Sequence, residues 1–336
     1  MPGLAVRAAA WYLPERAVPV ADLPELAALP PPERATCLSL GVDRVPVDDE
    51  LSATDLAERA ARRVMAAAGL TPDDIDALVL IEPRAPDRLL ASETTHLQAR
   101  LETRRALTFS VGGLGCVSIT PALLVARGLL AADPELATIL VAHGSKPATH
   151  RRYRHPVTVV GDSGQAVVVS RDGPVRIRDI LVETNGAYWD LFQVEYRDQP
   201  SARWREECTN YPRYSFQLAV ETRNRLRALA GLALRRNGLR PADVSCYLSQ
   251  NLSVSTFRIY EEMLGMSIAP ACVANLRRYG HLGANDVLLN LYRAIALQQL
   301  PDGGRAIVLN ASPAAAWSVL VVENGDHTAT STAHYL

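Results

Sequence analysis

The stretch SVGGLGCVSITPALLVARGLL (residues 110–130) places one cysteine, Cys116, between a glycine-rich turn and an apolar run. Glycine enters positive φ without steric cost, so the chain can turn sharply out of a strand and set Cys116 at a helix start. Unpaired N–H groups and the dipole at that end favour a thiolate, and the same N–H groups can receive an oxyanion. TFSV (108–111) reads as the strand, and residues from about 117 to 132 as the helix. Pro121 cannot donate a helical hydrogen bond, so either the helix begins near Thr120 or its first turn is irregular. The other four cysteines lack such a turn: Cys246 and Cys272 read as strand interior, Cys37 and Cys208 as loop or helix positions.

Around this unit, short apolar runs alternate with helical ones. Residues 4–13 and 77–83 read as strands flanking a helix over 54–70, with Thr54 as N-cap and Gly69 near its end. Strands follow at 138–144 and 165–170. A second series has strands at 176–184, 244–250, 305–312 and 317–323, with helices over 214–238, 254–265 and 285–299. The ordering predicts an α/β fold with mostly parallel, buried sheets. Both series have a glycine turn before a helix near the middle, yet no residue-level repeat is visible and no linker divides them. One shared core is expected.

The second glycine turn is YGHLGANDVLLNL (279–291), in which His281 enters an apolar helix and Asp286 lies in its first turn. A neutral imidazole there can take the thiol proton and later return it, and a carboxylate on the other ring nitrogen fixes the tautomer. Cys116, His281 and Asp286 therefore form a candidate nucleophile, base and orienting acid for acyl transfer through a thioester. The remaining histidines, His96, His143, His150, His155, His327 and His334, have no comparable setting. His150 and His155 flank Arg151, Arg152 and Arg154 in what reads as a solvated loop, one able to touch an acidic carrier protein.

Composition excludes several classes. The chain has 336 residues, 48% of them hydrophobic, and a formal net charge of −1, so no nucleic-acid surface or membrane-binding basic helix is indicated. Lys146 is the single lysine among 35 basic residues, from which no mechanism follows. The opening MPGLAVRAAAWYLPERAVPV does not read as a signal peptide. No uncharged apolar stretch reaches the roughly 18 residues of a membrane span. The five scattered cysteines have no CxxC spacing, so no metal site is expected, and a reduced, cytoplasmic protein is.

Further segments complete a pattern: AWYLPERAVPVADL (10–23), SLGVDRVPV (39–47), VVGDSGQAVVV (159–169), LSQNLS (248–253) and NASPAAAW (310–317). Taken in order with GGLGCVSI and YGHLGAND, they resemble the ketoacyl synthase III branch of the thiolase superfamily over nearly the whole chain. The first two look like the family's opening strand with its "YLP" turn and its "TGI-x-x-R" segment. VVGDSGQAVVV looks like the "GDGAGAVV" turn, and NASPAAAW stands where the family has a Gly-rich loop near the oxyanion hole. The resemblance implies a five-layered α-β-α-β-α fold of two similar halves. Residues 1–172 would carry the nucleophile Cys116, and 173–336 the His281–Asp286 pair. It also implies a homodimer, with PRAPDRLL (83–90) at the position of a loop that crosses to the partner.

The departures from the family bear on function. LSQNLS stands where the family has "HQAN", so Ser249 holds the usual His position with Gln250 beside it. YGHLGAND stands where the family has "GNTSAAS", so His281 holds the Asn position. A Cys with a GHxGxxD turn looks like the divergent acyltransferase subgroup of antibiotic biosynthesis. The resemblance then implies that Cys116 takes an acyl group from a carrier protein or coenzyme A thioester. It passes the group, without decarboxylation, to a hydroxyl of a sugar or other alcohol, or to another carrier. No permanently bound cofactor is implied; the phosphopantetheine arm arrives with the donor. The family stacks the adenine of coenzyme A on a Trp that PPPERATCLSLG (30–41) lacks, which favours a carrier protein. The Cys116 amide is the main oxyanion donor expected, with the N–H of Ala311 or Ser312 in support. Eight of the nineteen aromatics fall between 188 and 216, among them Tyr188, Trp189 and Phe192, where the family caps its substrate tunnel. With Ser249 and Gln250, these three are the expected substrate pocket. Two other readings remain: a starter-unit ketosynthase that forms a C–C bond, and a non-catalytic partner subunit of a polyketide or fatty-acid synthase system.

Overall fold

The structure, a computed structural model, describes residues 3–325. His327, His334 and the end of the expected second half lie outside the described residues. Nine strands form the main sheet: β1 (Ala5–Tyr12), β2 (Ala77–Ile81), β3 (Leu107–Val111), β4 (Ile139–Ser145), β5 (Ser163–Ser170), β6 (Val175–Thr184), β7 (Cys246–Ser249), β8 (Arg305–Ser312) and β9 (Ala316–Asn324). Eight α-helices accompany them among the described residues: α1 (Pro31–Ser39), α2 (Ala53–Ala68), α3 (Glu93–Leu101), α4 (Ile119–Ala132), α5 (Ala219–Arg236), α6 (Val254–Leu264), α7 (Pro270–Tyr279) and α8 (Asp286–Ala296).

The strand order is β7-β8-β9-β6-β1-β5-β4-β2-β3. From β1 outward it reads β1-β5-β4-β2-β3, and from β6 outward β6-β9-β8-β7, so the second run matches the first four strands of the first. In the second run a parallel bridge from Tyr247 to Ile268 stands where the first has a full fifth strand, β3. The runs join where Ala5 and Val6 of β1 pair with Arg176 and Val175 of β6. Only β2–β3, β2–β4 and β7–β8 are parallel; the other five neighbouring pairs are antiparallel. The expectation of mostly parallel sheets is thus corrected. No helix lies between β4 and β5 or between β8 and β9, and a connection without a crossover reverses direction.

Helices α2 and α3 cover one face of the first run with an apolar cluster of their own, including Ala57, Ala61, Val64, Leu97 and Leu101 against Leu140 and Val168. The larger core takes α4 and α8 together with residues of both runs, and Trp11 of β1 meets Tyr292 of α8 edge to face at 5.4 Å. Ser52, rather than Thr54, caps α2 in a capping box with Asp55, and left-handed Gly69 ends the helix. A 3-10 turn over Gly115–Ser118 precedes α4, so Pro121 is its third residue, where an N–H has no intrahelical partner. Gly115–Ala132 is apolar and long enough to cross a membrane, with a mean hydropathy of 1.6, although it carries Arg127 and half of it is buried in the core. A π-helical turn over Arg213–Leu218 opens the expected 214–238 helix. Helices α1, α3 and α7 are additional to the sequence reading, and Cys272 lies in α7, not in a strand.

A pair of glycines seats α2. Gly144 of β4 stands opposite Gly164 of β5. A Cβ on Gly144 would fall 1.7 Å from Ala53 O, and one on Gly164 1.8 Å from Leu56 O. The first turn of α2 therefore rests on bare backbone. Gly164→Ala is expected to lower the unfolding free energy by about 3 kcal/mol or more, because backbone would have to move. Gly128→Ala, in α4 with open space around it, is expected to be neutral or to stabilise by up to about 1 kcal/mol. Parallel urea titrations of the two variants check the contrast.

Candidate active site

Cys116 lies in the 3-10 turn ahead of α4, with Gly115 at φ +57° before it. A Cβ on Gly115 would come 2.7 Å from Ser312 Oγ, so a side chain there is doubly disfavoured. Asn310 donates to the carbonyl of Cys116 at 3.0 Å, which ties the turn to β8. Cys116 Sγ donates to Ala311 O at 3.1 Å. Ala311 thus presents its carbonyl oxygen, an acceptor, to the sulfur. Ser312 Oγ accepts from Ala314 N at 3.2 Å, at the edge of the cavity.

His281 is pinned by its backbone. Its N–H donates to Val159 O at 2.9 Å, and its carbonyl accepts from Gly161 N at 3.0 Å. Gly280, at φ +63°, permits that approach, since a Cβ on it would sit 2.5 Å from Val159 O. His281 Nδ1 meets Asp286 Oδ2 at 2.5 Å. The carboxylate also accepts from Asn251 N and Leu282 N, each at 2.8 Å. Asp286 is fully buried, and His281 nearly so at 2% exposure. Burial alone would push the imidazole down. The Asp286 charge, its hydrogen bond and a further hydrogen bond with Cys116 outweigh burial and raise His281 to about 9.

Cys116 and His281 open on one cavity of about 330 Å³. Of the expected pocket residues, Trp189 and Phe192 line it, and Tyr188, Ser249 and Gln250 do not. Tyr188 packs beneath the Arg213 guanidinium at 5.5 Å. Ser249 and Gln250 are fully buried and spend their polar groups on each other and the backbone. Ser249 Oγ bonds Gln250 Oε1 at 2.8 Å, and Gln250 Nε2 donates to Ala311 O at 3.1 Å.

The cavity holds residues beyond those expected: Glu82, Arg84, His143, Ser145 and Arg154. His143 Nδ1 bonds Ile81 O at 3.0 Å, so that nitrogen carries the proton. Burial, against the Ile81 bond and with the help of the His281 charge, pushes His143 down to about 4 and keeps it neutral. Arg84 and Arg154 both form ion pairs with Glu206. The loop read as solvated is thereby corrected: Arg154 is 5% exposed, and Arg152 bonds both oxygens of Asp162 at 2.8 and 2.9 Å. Nothing local marks these residues, because each becomes functional only through the strand face or loop packed opposite it. Alternation along β4 puts Val141, His143 and Ser145 on one face, but which face borders the cavity depends on the second half.

The geometry agrees with the comparisons. Residues 234–324 match the family model for the C-terminal part of 3-oxoacyl-[acyl-carrier-protein] synthase III. The β-ketoacyl-[acyl-carrier-protein] synthase III of Ruegeria pomeroyi is 26% identical over 327 residues, covering 94% of this chain and 98% of the relative. The chain is thus similar to ketoacyl synthase III proteins, through the family model over residues 234–324 and through relatives along nearly its whole length. Solved structures show the same fold. ChlB3, an acyltransferase, superposes with a TM-score of 0.81 at 20% identity, covering 96% of this chain and 98% of that one. AbyA1, a tetronic acid condensing enzyme, gives 0.78 at 24%, covering 95% and 99%. The 3-oxoacyl-(acyl carrier protein) synthase III of Pseudomonas aeruginosa gives 0.77 at 19%, covering 96% and 99%. The layered α/β fold of these structures is therefore shared along the length of this chain.

The raised His281 pKa has a consequence for stability. A group whose folded value lies above its unfolded value stabilises the fold fully below the unfolded pKa and loses that contribution as pH rises through the folded one. The window here runs from about 6.5 to about 9. The wild-type melting temperature is expected to fall across that window. In Asp286→Asn the fall attributable to His281 should shrink sharply, since only the contact with Cys116 then opposes burial. Melting curves of both proteins between pH 6 and pH 9.5 check this; parallel curves would refute the coupling.

Proposed function

We propose that this protein is an acyltransferase of the divergent, non-decarboxylating kind, with Cys116 as nucleophile, His281 as acid and base, and Asp286 as the group that orients His281. Cys116 sulfur attacks the donor thioester carbonyl; the carbon–sulfur bond to pantetheine breaks, and the leaving thiol takes the proton. That proton passes from Cys116 through His281 to the pantetheine sulfur, which leaves the ring neutral; an acceptor hydroxyl then attacks the acyl-cysteine, gives its proton to His281 and displaces the Cys116 sulfur. The observation that carries this reading is the hydrogen-bond sign of the cavity. Decarboxylation of a malonyl thioester needs donors for the enolate oxygen. His281 is one donor. His143 turns an unprotonated nitrogen to the cavity, Asn310 spends its amide on Cys116, and Ser249 and Gln250 are satisfied internally. Arg84 and Arg154 line the same cavity but are ion-paired with Glu206, and the remaining donors, His281 and the Ser145 hydroxyl, suit thioester exchange better than enolate support.

The donor in this reading is an acyl carrier protein in preference to free coenzyme A, because α1 and its approach carry no aromatic side chain for an adenine. The acceptor is a small alcohol. The enzyme is a cytoplasmic homodimer. Five free cysteines support a reducing compartment. The sheet ends on β3, an unpaired edge with Leu107 exposed, and Leu89 and Leu90 are exposed at 75% and 107% in the 83–90 loop; such an edge favours pairing with a second copy.

Intact-protein mass spectrometry after incubation with acyl and malonyl thioesters tests the reading. Wild type is expected to gain one whole acyl group, and Cys116→Ala none. Asp286→Asn is expected to acylate and transfer about 100-fold more slowly or worse. A mass gain matching a decarboxylated malonyl unit would instead favour the carbon–carbon bond-forming enzyme. No adduct from any donor would favour the binding subunit.

A further inference from the structure

An acyl group on Cys116 must occupy the space its sulfur opens on, and that space is the 330 Å³ cavity. A larger apolar cavity of about 400 Å³ lies nearby, lined by Tyr214, Leu218 and Tyr260 among others, but Cys116 does not border it. The bound acyl chain therefore meets the first cavity, whose wall is unexpectedly polar. His143 is central to that wall. It is 4% exposed and projects from the end of β4, with its Nδ1–H fixed on Ile81 O. Its Nε2 is left as an acceptor facing the Gly283 turn, where a Cβ on that glycine would lie 3.3 Å away. Ser145, two residues on and on the same face of β4, adds a hydroxyl to the cavity. The catalytic steps proposed above use neither side chain. Once an acyl group fills the cavity and excludes water, an acceptor on its wall is costly to leave without a donor.

We propose that the acyl group carried by Cys116 is a short one bearing its own hydrogen-bond donor, an O–H or N–H that His143 Nε2 accepts, rather than a plain alkyl chain. The proposal rests on the acyl-enzyme reading and names its substrate class. A site built to bond a hydroxyl rejects the analogue that lacks it far more strongly than an apolar pocket rejects one methylene, because the unpaired partner stays buried. His143 is thus a specificity residue, and removing its nitrogen should relax selectivity without abolishing acylation.

Matched pairs of coenzyme A thioesters test this: lactoyl against propionyl, and 3-hydroxybutyryl against butyryl. Acyl-cysteine formation is followed by intact mass in single-turnover time courses for wild type, His143→Leu and His143→Gln. Wild type is expected to prefer the hydroxylated member of at least one pair by about tenfold or more. His143→Leu should bring that ratio close to one by gaining rate with the alkyl thioester. His143→Gln, which retains an acceptor oxygen, should keep part of the preference. Equal rates on both members of every pair in wild type would overturn the proposal while leaving the acyl-enzyme intact. So would a ratio unchanged in His143→Leu, or an equal loss on both members, the mark of a merely structural role. Absence of acylation from every thioester would overturn the acyl-enzyme reading and this inference together.

Discussion

A carboxylate with no exposure to water organises the centre of this molecule. Asp286 sits at the first residue of α8, and a buried charge persists only where donors replace its hydration. Three do so: His281 Nδ1, Asn251 N and Leu282 N. They come from two places along the chain's path into the site. His281 lies in the turn after α7, Leu282 follows it, and Asn251 comes just after β7. The helix N-terminus adds its dipole. Folding the carboxylate away from water therefore requires the turn, the strand end and the imidazole to be in register, and that same requirement aims His281 at Cys116. The asparagines behind it extend the constraint. Asn290 donates to Asn251 Oδ1 at 2.8 Å and to Ser249 O at 2.6 Å, and Asn275 donates to Asn290 Oδ1 at 2.8 Å.

Cys116 is held by a separate set of contacts, and β8 joins the two. Ala311 O receives both Cys116 Sγ and Gln250 Nε2, while Asn310 holds the Cys116 carbonyl. The cysteine turn belongs to the first run of strands and β8 to the second. The site is thus a product of the seam between them, where α4 and α8 share one core. Glycine makes the approaches possible, at Gly115 under Ser312 and at Gly280 under Val159.

How much of this was legible in the sequence follows from how local each feature is. The Cys116 turn and the His281–Asp286 turn are local, five residues or fewer across, and their residue types are readable because glycine, a nucleophile and a helix start leave a pattern. All nine main strands coincide with apolar runs. Strand direction was not legible, since it depends on whether a connection crosses the sheet. Helices α1 and α7 open on Pro31 and Pro270, and their apolar faces are short, so periodicity was weak there. Cys272 read as strand because its neighbours are small and apolar. Ser249 and Gln250 were placed in the pocket by position alone; their inward turn reflects partners 10 to 61 residues away, Tyr260 and Ala311. Arg154 looked solvated because its counter-ion, Glu206, lies far along the chain.

Two imidazoles share the cavity, and their opposite states follow from one asymmetry. Both are buried, and burial penalises a charged ring. His281 has the Asp286 carboxylate on its far nitrogen and is raised to about 9; His143 has only a neutral carbonyl there and falls to about 4. A second positive charge so close to the first would be disfavoured, so protonating His281 helps to keep His143 neutral. The cavity therefore offers a donor at the sulfur and an acceptor further along, in fixed order. The proposed roles of the two rings, one moving protons and the other recognising substrate, require that order not to invert at working pH. The roughly five units between the two values hold it from well below neutrality to about pH 9.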